Sequence, residues 1–320
     1  MLLHLRTFIA SAALLLSAGV ASANDFPNRF VKLVVGFPPG GASDTIARIV
    51  ADGLSKQLGQ SVVVENKPGA GANIAATTVA RADADGYTLL LGTAGTNAIN
   101  KSLYANLHYD HLKDFAPVGM AASSANVLIV NPNSPAKSIQ DFIDLAKKQR
   151  VTIAIPGNGS TPHLTTELLK MDTGINLVDV PYRGGGPGMT DVIAGKVDAL
   201  FEAPMSAMPH IKSGAVKALG ISSKGRNPTL PDVPAIAETV TNFEATAWWG
   251  VFAPVNVPSD VLEKLRVAFG KALESDEFRK RLGDLGADVI PMTPDAFQSL
   301  IVADTEKWAK VVKAAGIKVE

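Results

Sequence analysis

The sequence contains no cysteine and no excess of either charge, with 30 basic and 30 acidic residues among 320. Without disulfides the chain depends on its hydrophobic core, so the small disulfide-rich extracellular modules are excluded. The balanced charge leaves no electrostatic footprint for nucleic acid or for an anionic membrane surface. Charged residues make up only 19% of the chain and hydrophobic residues 47%, which predicts a large core and argues against disorder.

The motifs of the common nucleotide-binding and catalytic sites are also missing. The sequence has no Walker A motif, no Gly-x-Gly-x-x-Gly and no His-Glu-x-x-His. His108 and His111 have roughly the spacing of metal ligands, but no third ligand lies nearby in the sequence. Ser160 with His163 suggests a nucleophile, yet Ser160 lacks the Gly-x-Ser-x-Gly elbow of that chemistry. We therefore expect no cofactor, no metal and no enzymatic activity, with a secreted hydrolase as the weaker alternative.

One long apolar run is present, and it lies at the N-terminus. A short basic start ending at Arg6 precedes an apolar stretch from Thr7 to Val20, and a small-x-small site ends at Ala23. This pattern predicts a secretory signal peptide over residues 1–23, cleaved near Ala23. The stretch is short for a membrane anchor, which is the less favoured interpretation. No cysteine follows that could carry a lipid, so we expect a soluble, monomeric protein of the periplasm.

Beyond residue 30, short runs rich in valine and leucine alternate with helical segments. Such continuous apolar runs are typical of parallel strands that crossover helices bury on both faces. Strands are predicted at residues 31–35, 61–65, 87–91, 127–130, 151–155, 176–180, 197–201, 216–222, 248–252 and 287–290. Helices are predicted at residues 73–81, 138–150, 162–172, 187–194 and 259–274, with a last helix from Pro294.

The sequence predicts an α/β protein of two lobes. Proline and polar residues cluster near residues 131–138 and 227–234, and the helical C-terminus has too few strands to form a sheet alone. We therefore assign residues 24–122 and 246–320 to the first lobe and residues 123–245 to the second. The carboxyl ends of strands from both lobes then meet along one cleft, the usual ligand site of α/β sheets.

The loop before the first helix predicts an anion site at this cleft. Gly40 and Gly41 let backbone N–H groups approach a ligand without a Cβ in the way. Ser43 or Asp44 is the expected N-cap of the helix that follows. The alternative is an ordinary glycine turn that only begins a packed helix.

A second candidate loop lies in the second lobe. Ser160 and Thr161 place hydroxyls beside the start of a helix whose first turn accommodates Pro162. The alternative is that both hydroxyls serve only as helix caps. His163 lies inside this helix and is expected to pack or to face solvent. A third contribution is expected from the turn 93–97, which follows a strand at the same edge.

Six segments of the chain, kept in order, carry a family resemblance. They are Val35–Asp44, Glu65–Gly71, Asp85–Leu90, Tyr109 with Lys113–Val118, Val180–Gly184 and Leu230–Pro234. Together they are similar to the substrate-binding proteins of tripartite tricarboxylate transporters, the Bug receptors. The resemblance implies a type II periplasmic-binding-protein fold, with two α/β lobes that close on a small organic carboxylate in the cleft between them. It also implies delivery of the carboxylate to the membrane permease subunits of the transporter.

In the resembled family, the loop of the second lobe supplies hydroxyl and backbone groups that donate hydrogen bonds to the carboxylate of the ligand. Ser160 and Thr161 occupy those positions. Arg183 either grips an acid or braces a loop. Many relatives carry a shorter acid than Glu202, which is either part of a distal specificity pocket or a solvated charge. The predicted ligand-binding residues are Phe37, Pro39, Gly40, Gly41, Thr93, Asn97, Asn158, Ser160, Thr161, Arg183 and Glu202. A receptor that feeds a sensor kinase instead of a permease is the alternative function.

Overall fold

The structure is a computed structural model of the chain, and it describes residues 26–157, 159–228 and 230–318. The predicted signal peptide and the predicted ligand residue Asn158 lie outside the described residues. Within the described part of the chain, no helix is both long enough and apolar enough to cross a membrane.

Strands and helices alternate along the described residues. The strands are β1 (Val31–Val35), β2 (Val62–Asn66), β3 (Thr88–Thr93), β4 (Phe115–Ala125), β5 (Val127–Val130), β6 (Val151–Ile155), β7 (Leu177–Pro181), β8 (Ala199–Glu202), β9 (Lys217–Ile221) and β10 (Thr246–Pro254). The α-helices are α1 (Ala42–Leu58), α2 (Asn73–Ala80), α3 (Asn100–Leu103), α4 (Ile139–Lys148), α5 (Thr161–Thr173), α6 (Gly185–Ile193), α7 (Pro204–Lys212), α8 (Ser259–Glu274), α9 (Asp276–Gly283) and α10 (Pro294–Ala315). A π-helical turn (Gly95–Ile99) leads into α3.

Two five-stranded sheets share one strand order. The first sheet has the order β2-β1-β3-β10-β4, and the second has the order β7-β6-β8-β5-β9. In the first sheet β10 runs antiparallel to β3 and β4, and in the second β5 runs antiparallel to β8 and β9. On one side of the antiparallel strand, three neighbouring strands of each sheet run parallel to one another, as their continuous apolar runs predicted. They are β2, β1 and β3 in the first sheet and β7, β6 and β8 in the second. The predicted architecture of two α/β lobes is confirmed.

The chain crosses between the sheets at two places that lie side by side. Asn126 alone separates β4 from β5, while Ser222 follows β9 and Ala245 precedes β10. The backbone N–H of Ser222 donates to the carbonyl of Asn126 at 2.8 Å, and that of Ala245 donates to the carbonyl of Ser222 at 2.9 Å. We call Asn126, Ser222 and Ala245 the crossing. The exact lobe boundaries remain a prediction.

The C-terminal helix α10 packs against both lobes. It contacts the turn before α3 in the first lobe and α5 in the second. Trp308 on α10 is fully buried, in a hydrophobic cluster that includes Leu90 of the first sheet and Leu164 of α5. Trp248 on β10 donates from Nε1 to Asp304 Oδ2 of α10 at 2.8 Å. The helix therefore fixes the back of the cleft.

Some elements differ from the predictions. The strand expected at residues 287–290 is wrong, because this segment makes a single bridge between Asp288 and Ser123. The sequence did not predict β4, whose second half is rich in small residues instead of β-branched ones. It also did not predict α9 or α7, which begins at Pro204 and contains Pro209. Proline inside a helix removes a hydrogen-bond donor, which hides α7 from pattern reading.

Candidate functional site

A cavity of about 430 Å³ lies between the two lobes. Its walls come from the loops after β1, β3 and β6, from α3 and from β10. The lining residues are Phe37, Ser43, Gly71, Thr93, Ala94, Gly95, Ile99, Asn100, Leu103, Tyr104, Gly159, Ser160, Thr161, Pro162, Ala247, Trp248 and Trp249. No charged side chain is present in this described lining. A ligand held here meets hydroxyl groups, amides and aromatic rings.

The loop after β1 is held in shape by Asp44. One carboxylate oxygen of Asp44 accepts from the Gly40 N–H at 2.9 Å, and the other accepts from Asn66 Nδ2 at 2.9 Å. The Arg48 guanidinium donates to both oxygens at 3.0 Å and holds the pKa of Asp44 at about 2. The carboxylate is thus ionised at neutral pH, and both of its oxygens already accept hydrogen bonds from the protein. The N–H of Gly40 is consequently engaged inside the loop.

Ser43 has a different role from the predicted one. The prediction that Ser43 or Asp44 caps α1 is wrong, because the N-cap is Gly41, with no side-chain cap bond. Instead the buried Ser43 Oγ accepts a hydrogen bond from Trp249 Nε1 at 2.8 Å. Since its oxygen accepts there, the hydroxyl hydrogen remains available to donate to a ligand in the cavity.

Ser160 has the matching arrangement in the second lobe. It is the N-cap of α5, and its Oγ accepts from the backbone N–H of His163 at 3.4 Å. Pro162 occupies the first turn as predicted. The hydroxyl hydrogen of Ser160 again remains available, and Thr161 lines the cavity beside it. A capping bond and a ligand bond are therefore compatible in one hydroxyl.

The loop after β3 contributes one predicted residue to the cavity and buries the other. Thr93 lines the cavity, and its N–H donates to Thr96 Oγ1 at 2.9 Å. The hydroxyl of Thr96 donates in turn to Asn97 Oδ1 at 2.7 Å. Asn97 is fully buried behind this turn, outside the described lining, and its Nδ2 has no partner among the described residues.

The remaining predicted residues lie outside the cavity lining. Pro39, Gly40 and Gly41 are exposed, in the loop between the lining residues Phe37 and Ser43. Arg183 is exposed on the loop between β7 and α6. The structure thus brings together Phe37, Thr93, Ser160 and Thr161. It leaves Pro39, Gly40, Gly41 and Arg183 exposed and outside the lining.

Glu202 lines a separate recess of about 260 Å³ beside α6. Its Oε1 accepts from the Ala203 N–H at 2.9 Å, and burial raises the pKa of this carboxyl. A Cβ on Gly185 would overlap the carboxylate, so glycine at the start of α6 makes room for it. Glu202 is the last residue of β8, which runs parallel to the neighbouring strand β6, and the loop to Ser160 follows β6. The recess and the second-lobe loop therefore lie at the same edge of the sheet.

The ring of His163 is not placed to activate Ser160. Its Nδ1 accepts a hydrogen bond from the Gly159 N–H at 3.0 Å, and its Nε2 lies 3.9 Å from Glu167 Oε1. Both ring nitrogens are thus directed to partners other than the Ser160 hydroxyl. This geometry does not support the hydrolase alternative.

The chain matches a known protein family over most of its length. Residues 46–317 match the family model described as "Tripartite tricarboxylate transporter family receptor". The chain is 36% identical over 317 residues to protein BugT of Bordetella pertussis, covering 98% of this chain and 96% of BugT. The chain belongs to the tripartite tricarboxylate transporter receptor family. The family resemblance read from the sequence is confirmed.

Two solved structures with bound dicarboxylates superpose on the chain. R. palustris Rpa4515 with adipate has a TM-score of 0.77 and 35% identity, covering 92% of this chain and 100% of that one. MatC from Rhodopseudomonas palustris with bound malate has a TM-score of 0.72 and 34% identity, covering 90% and 100%. The periplasmic binding protein BugD also superposes, with a TM-score of 0.73 and 36% identity, covering 92% and 100%. The fold is therefore that of the family's periplasmic solute-binding proteins.

Sequence reasoning missed much of the receptor's cavity wall. Trp248 and Trp249 begin the strand predicted at residues 248–252, and their rings pack in different hydrophobic clusters. Both nevertheless line the cavity, together with Tyr104 and Asn100. A pair of adjacent tryptophans on a strand near the return to the first lobe was the available signal.

Proposed function

We propose that this protein is a periplasmic receptor that captures a small organic carboxylate between its lobes and delivers it to a tripartite tricarboxylate transporter permease. The observation that carries the proposal is a pair of hydroxyls on opposite lobes, Ser43 and Ser160. Each lines the cavity, accepts a hydrogen bond from the protein and keeps its hydrogen for a ligand. Donors of this kind suit a carboxylate, which only accepts.

Neutral donors are sufficient to hold the carboxylate. Hydrogen bonds to a charged group contribute about 1.5–3 kcal/mol each. The first turn of α5 adds the backbone N–H of Thr161 and the positive end of the helix dipole beside Ser160, while Pro162 has no N–H and the His163 N–H already donates to Ser160 Oγ. The uncharged lining therefore does not argue against an anionic ligand.

The rest of the lining indicates a ligand with a hydrocarbon skeleton. Phe37, Ile99, Leu103 and Trp249 contribute apolar surface to the cavity. Burying apolar ligand surface against them stabilises the complex by about 25 cal/mol per Å². We therefore expect aliphatic or aromatic acids to bind more tightly than hydroxy acids of the same charge.

Thermal unfolding of the mature protein with adipate, malate and benzoate tests this function. At about 100 times the dissociation constant, a bound acid adds about 2.7 kcal/mol of stability. Adipamide, the neutral analogue of adipate, is the matched control and should give no shift, while adipate should bind more tightly than malate. The carboxylate proposal fails if no acid shifts the transition or if adipamide shifts it as far. Delivery is tested by uptake of labelled adipate with and without the permease subunits.

A further inference from the structure

His163 contacts the ligand loop directly, although it lies inside α5. The imidazole is buried, and its Nδ1 accepts the N–H of Gly159 at 3.0 Å. Gly159 lines the cavity next to Ser160. The sequence predicted only that His163 packs or faces solvent, so this bond is a feature that the helical position does not reveal.

The neutral imidazole is required for this bond. An imidazole nitrogen accepts a hydrogen bond only when it carries no proton, so the hydrogen must be on Nε2. Nε2 lies 3.9 Å from Glu167 Oε1, and Lys170 Nζ lies 2.6 Å from the same oxygen. Lys170 also contacts both carboxylate oxygens of Asp179 on β7, at 2.7 and 2.8 Å. A row of polar groups thus connects β7 to the loop.

This cluster is better described as an ion-pair row than as a metal site. The ligand atoms of His163, Glu167 and Asp179 lie within 4.8 Å of one another, a spacing compatible with a metal. The Lys170 ammonium, however, already contacts both carboxylates, and the His163 Nδ1 already accepts from Gly159. The positive charge that the two carboxylates need is supplied by the chain itself.

The loop depends on such a bond because its backbone is permissive. Gly159 adopts a φ of +72°, a left-handed conformation that glycine populates together with many others. Within the described part of the loop, the Ser160 N–H also donates to the Gly157 carbonyl at 3.2 Å. Fixing Gly159 through His163 keeps Ser160 and Thr161 in the positions from which they donate.

We propose that His163 is a positioning residue for the ligand loop: the neutral ring holds Gly159 and protonation of the ring releases the loop and weakens ligand binding. The inference rests on the proposed carboxylate-receptor function. An imidazolium has two N–H donors, so its Nδ1–H would face the Gly159 N–H without an acceptor. The loop would then lose its support from α5.

The charges around the ring set the direction of the pH effect. Burial lowers the pKa of His163 below its ordinary 6.5, Asp179 opposes this shift, and Lys170 adds to it. Burial also raises the pKa of Glu167, the group that faces Nε2. The binding-competent neutral ring is therefore present above about pH 6.5 and is lost as the pH falls through the lowered pKa. Below that pKa, affinity falls about tenfold per pH unit.

Two substitutions separate positioning from packing. In His163→Asn, the amide oxygen takes the place of Nδ1 and cannot titrate, so adipate affinity at pH 7.5 should stay within about threefold of wild type. In His163→Phe, the ring volume is kept and the acceptor is lost, so affinity should fall at least tenfold at every pH. The ratio of His163→Asn affinity to wild-type affinity should rise on acidification. Protonation of adipate itself weakens binding to both proteins by the same factor, so it does not change this ratio. A ratio that stays flat down to pH 4.5 overturns the proposal.

A readout without ligand keeps the test independent of the proposed function. In ¹⁵N-labelled protein free of carboxylate, the Gly159 amide should titrate together with the His163 ring. Its hydrogen exchange should be slow in wild type and His163→Asn and faster in His163→Phe. Equal exchange rates in all three proteins contradict the role of His163, whether or not any carboxylate binds. If the amide behaves as expected and adipate does not bind, the receptor function alone is wrong.

Discussion

At the scale of single residues, the proposed site consists of hydroxyl groups that the protein has already oriented. Ser43 accepts from Trp249 at 2.8 Å, and Ser160 accepts from the His163 N–H at 3.4 Å. A side chain fixed in this way loses little conformational freedom when a ligand binds, so more of the hydrogen-bond energy contributes to affinity.

Removing the second-lobe hydroxyls should therefore weaken binding strongly. In the double variant Ser160→Gly with Thr161→Val, two hydrogen bonds of about 1.5–3 kcal/mol each are lost. Adipate affinity measured by calorimetry should fall at least hundredfold, at about 1.4 kcal/mol per tenfold. Glycine is itself a good N-cap, so α5 should keep its stability. Ser299→Ala, which removes a hydroxyl from α10, is the matched control. A double variant with normal unfolding that binds within threefold of wild type contradicts the site.

Glu202 should decide which group the far end of a ligand carries. Its carboxylate lines the recess beside the second-lobe loop, and an ionised acid there repels a second carboxylate and accepts from a hydroxyl or ammonium group. Glu202→Gln should raise the ratio of adipate to hexanoate affinity by about tenfold at pH 8. Calorimetry with Glu263→Gln on α8 as the control checks this. An unchanged ratio would place the far end of the ligand away from the recess.

At the scale of elements, the parallel strands and the helices between them could be predicted, because each is a local pattern. Largely apolar runs of four or five residues give β1, β5 and β6 with the bounds that the structure has. The antiparallel pairing of β10 could not be predicted, because register depends on segments far apart in the chain. That pairing sets Trp249 opposite Thr93 and so builds the wall that sequence reasoning missed.

The same distinction holds for the candidate site. Phe37, Thr93, Ser160 and Thr161 could be found because each belongs to a strand–loop–helix unit readable in sequence. Tyr104 reaches the cavity after a π-helical turn that no propensity rule predicts. The bond from Gly159 to the His163 ring was also hidden, because helical periodicity gives the face of a side chain and not its hydrogen-bond partner.

Two glycines test the packing of these elements in opposite directions. A Cβ on Gly250 of β10 would overlap the ring of Phe297 on α10, so Gly250→Ala should destabilise the protein by about 1–3 kcal/mol. Gly270 on α8 has no neighbour within 4 Å of a Cβ, so Gly270→Ala should stabilise it by about 0.5–1 kcal/mol. Urea unfolding measures both. If Gly250→Ala unfolds like wild type, the contact between β10 and α10 is not tight.

At the scale of the whole molecule, the lobes are joined by few covalent connections and by one shared helix. The crossing at Asn126, Ser222 and Ala245 is held by backbone hydrogen bonds of 2.8 and 2.9 Å. α10 contacts both lobes behind the cavity. This arrangement leaves the mouth of the cleft as the side on which the lobes can approach each other.

Ligand binding should therefore close the cleft. A carboxylate held by Ser43 on one lobe and by Ser160 on the other binds the closed form more tightly than the open form, and only such a difference can shift the equilibrium. Small-angle scattering should show a smaller radius of gyration with saturating adipate than with adipamide. The Ser160→Gly/Thr161→Val protein should show no decrease at the same adipate concentration, because the second lobe has lost both of its hydroxyl donors. If wild type stays expanded at a concentration that calorimetry shows to be saturating, the ligand is held by one lobe and the two serines do not act together.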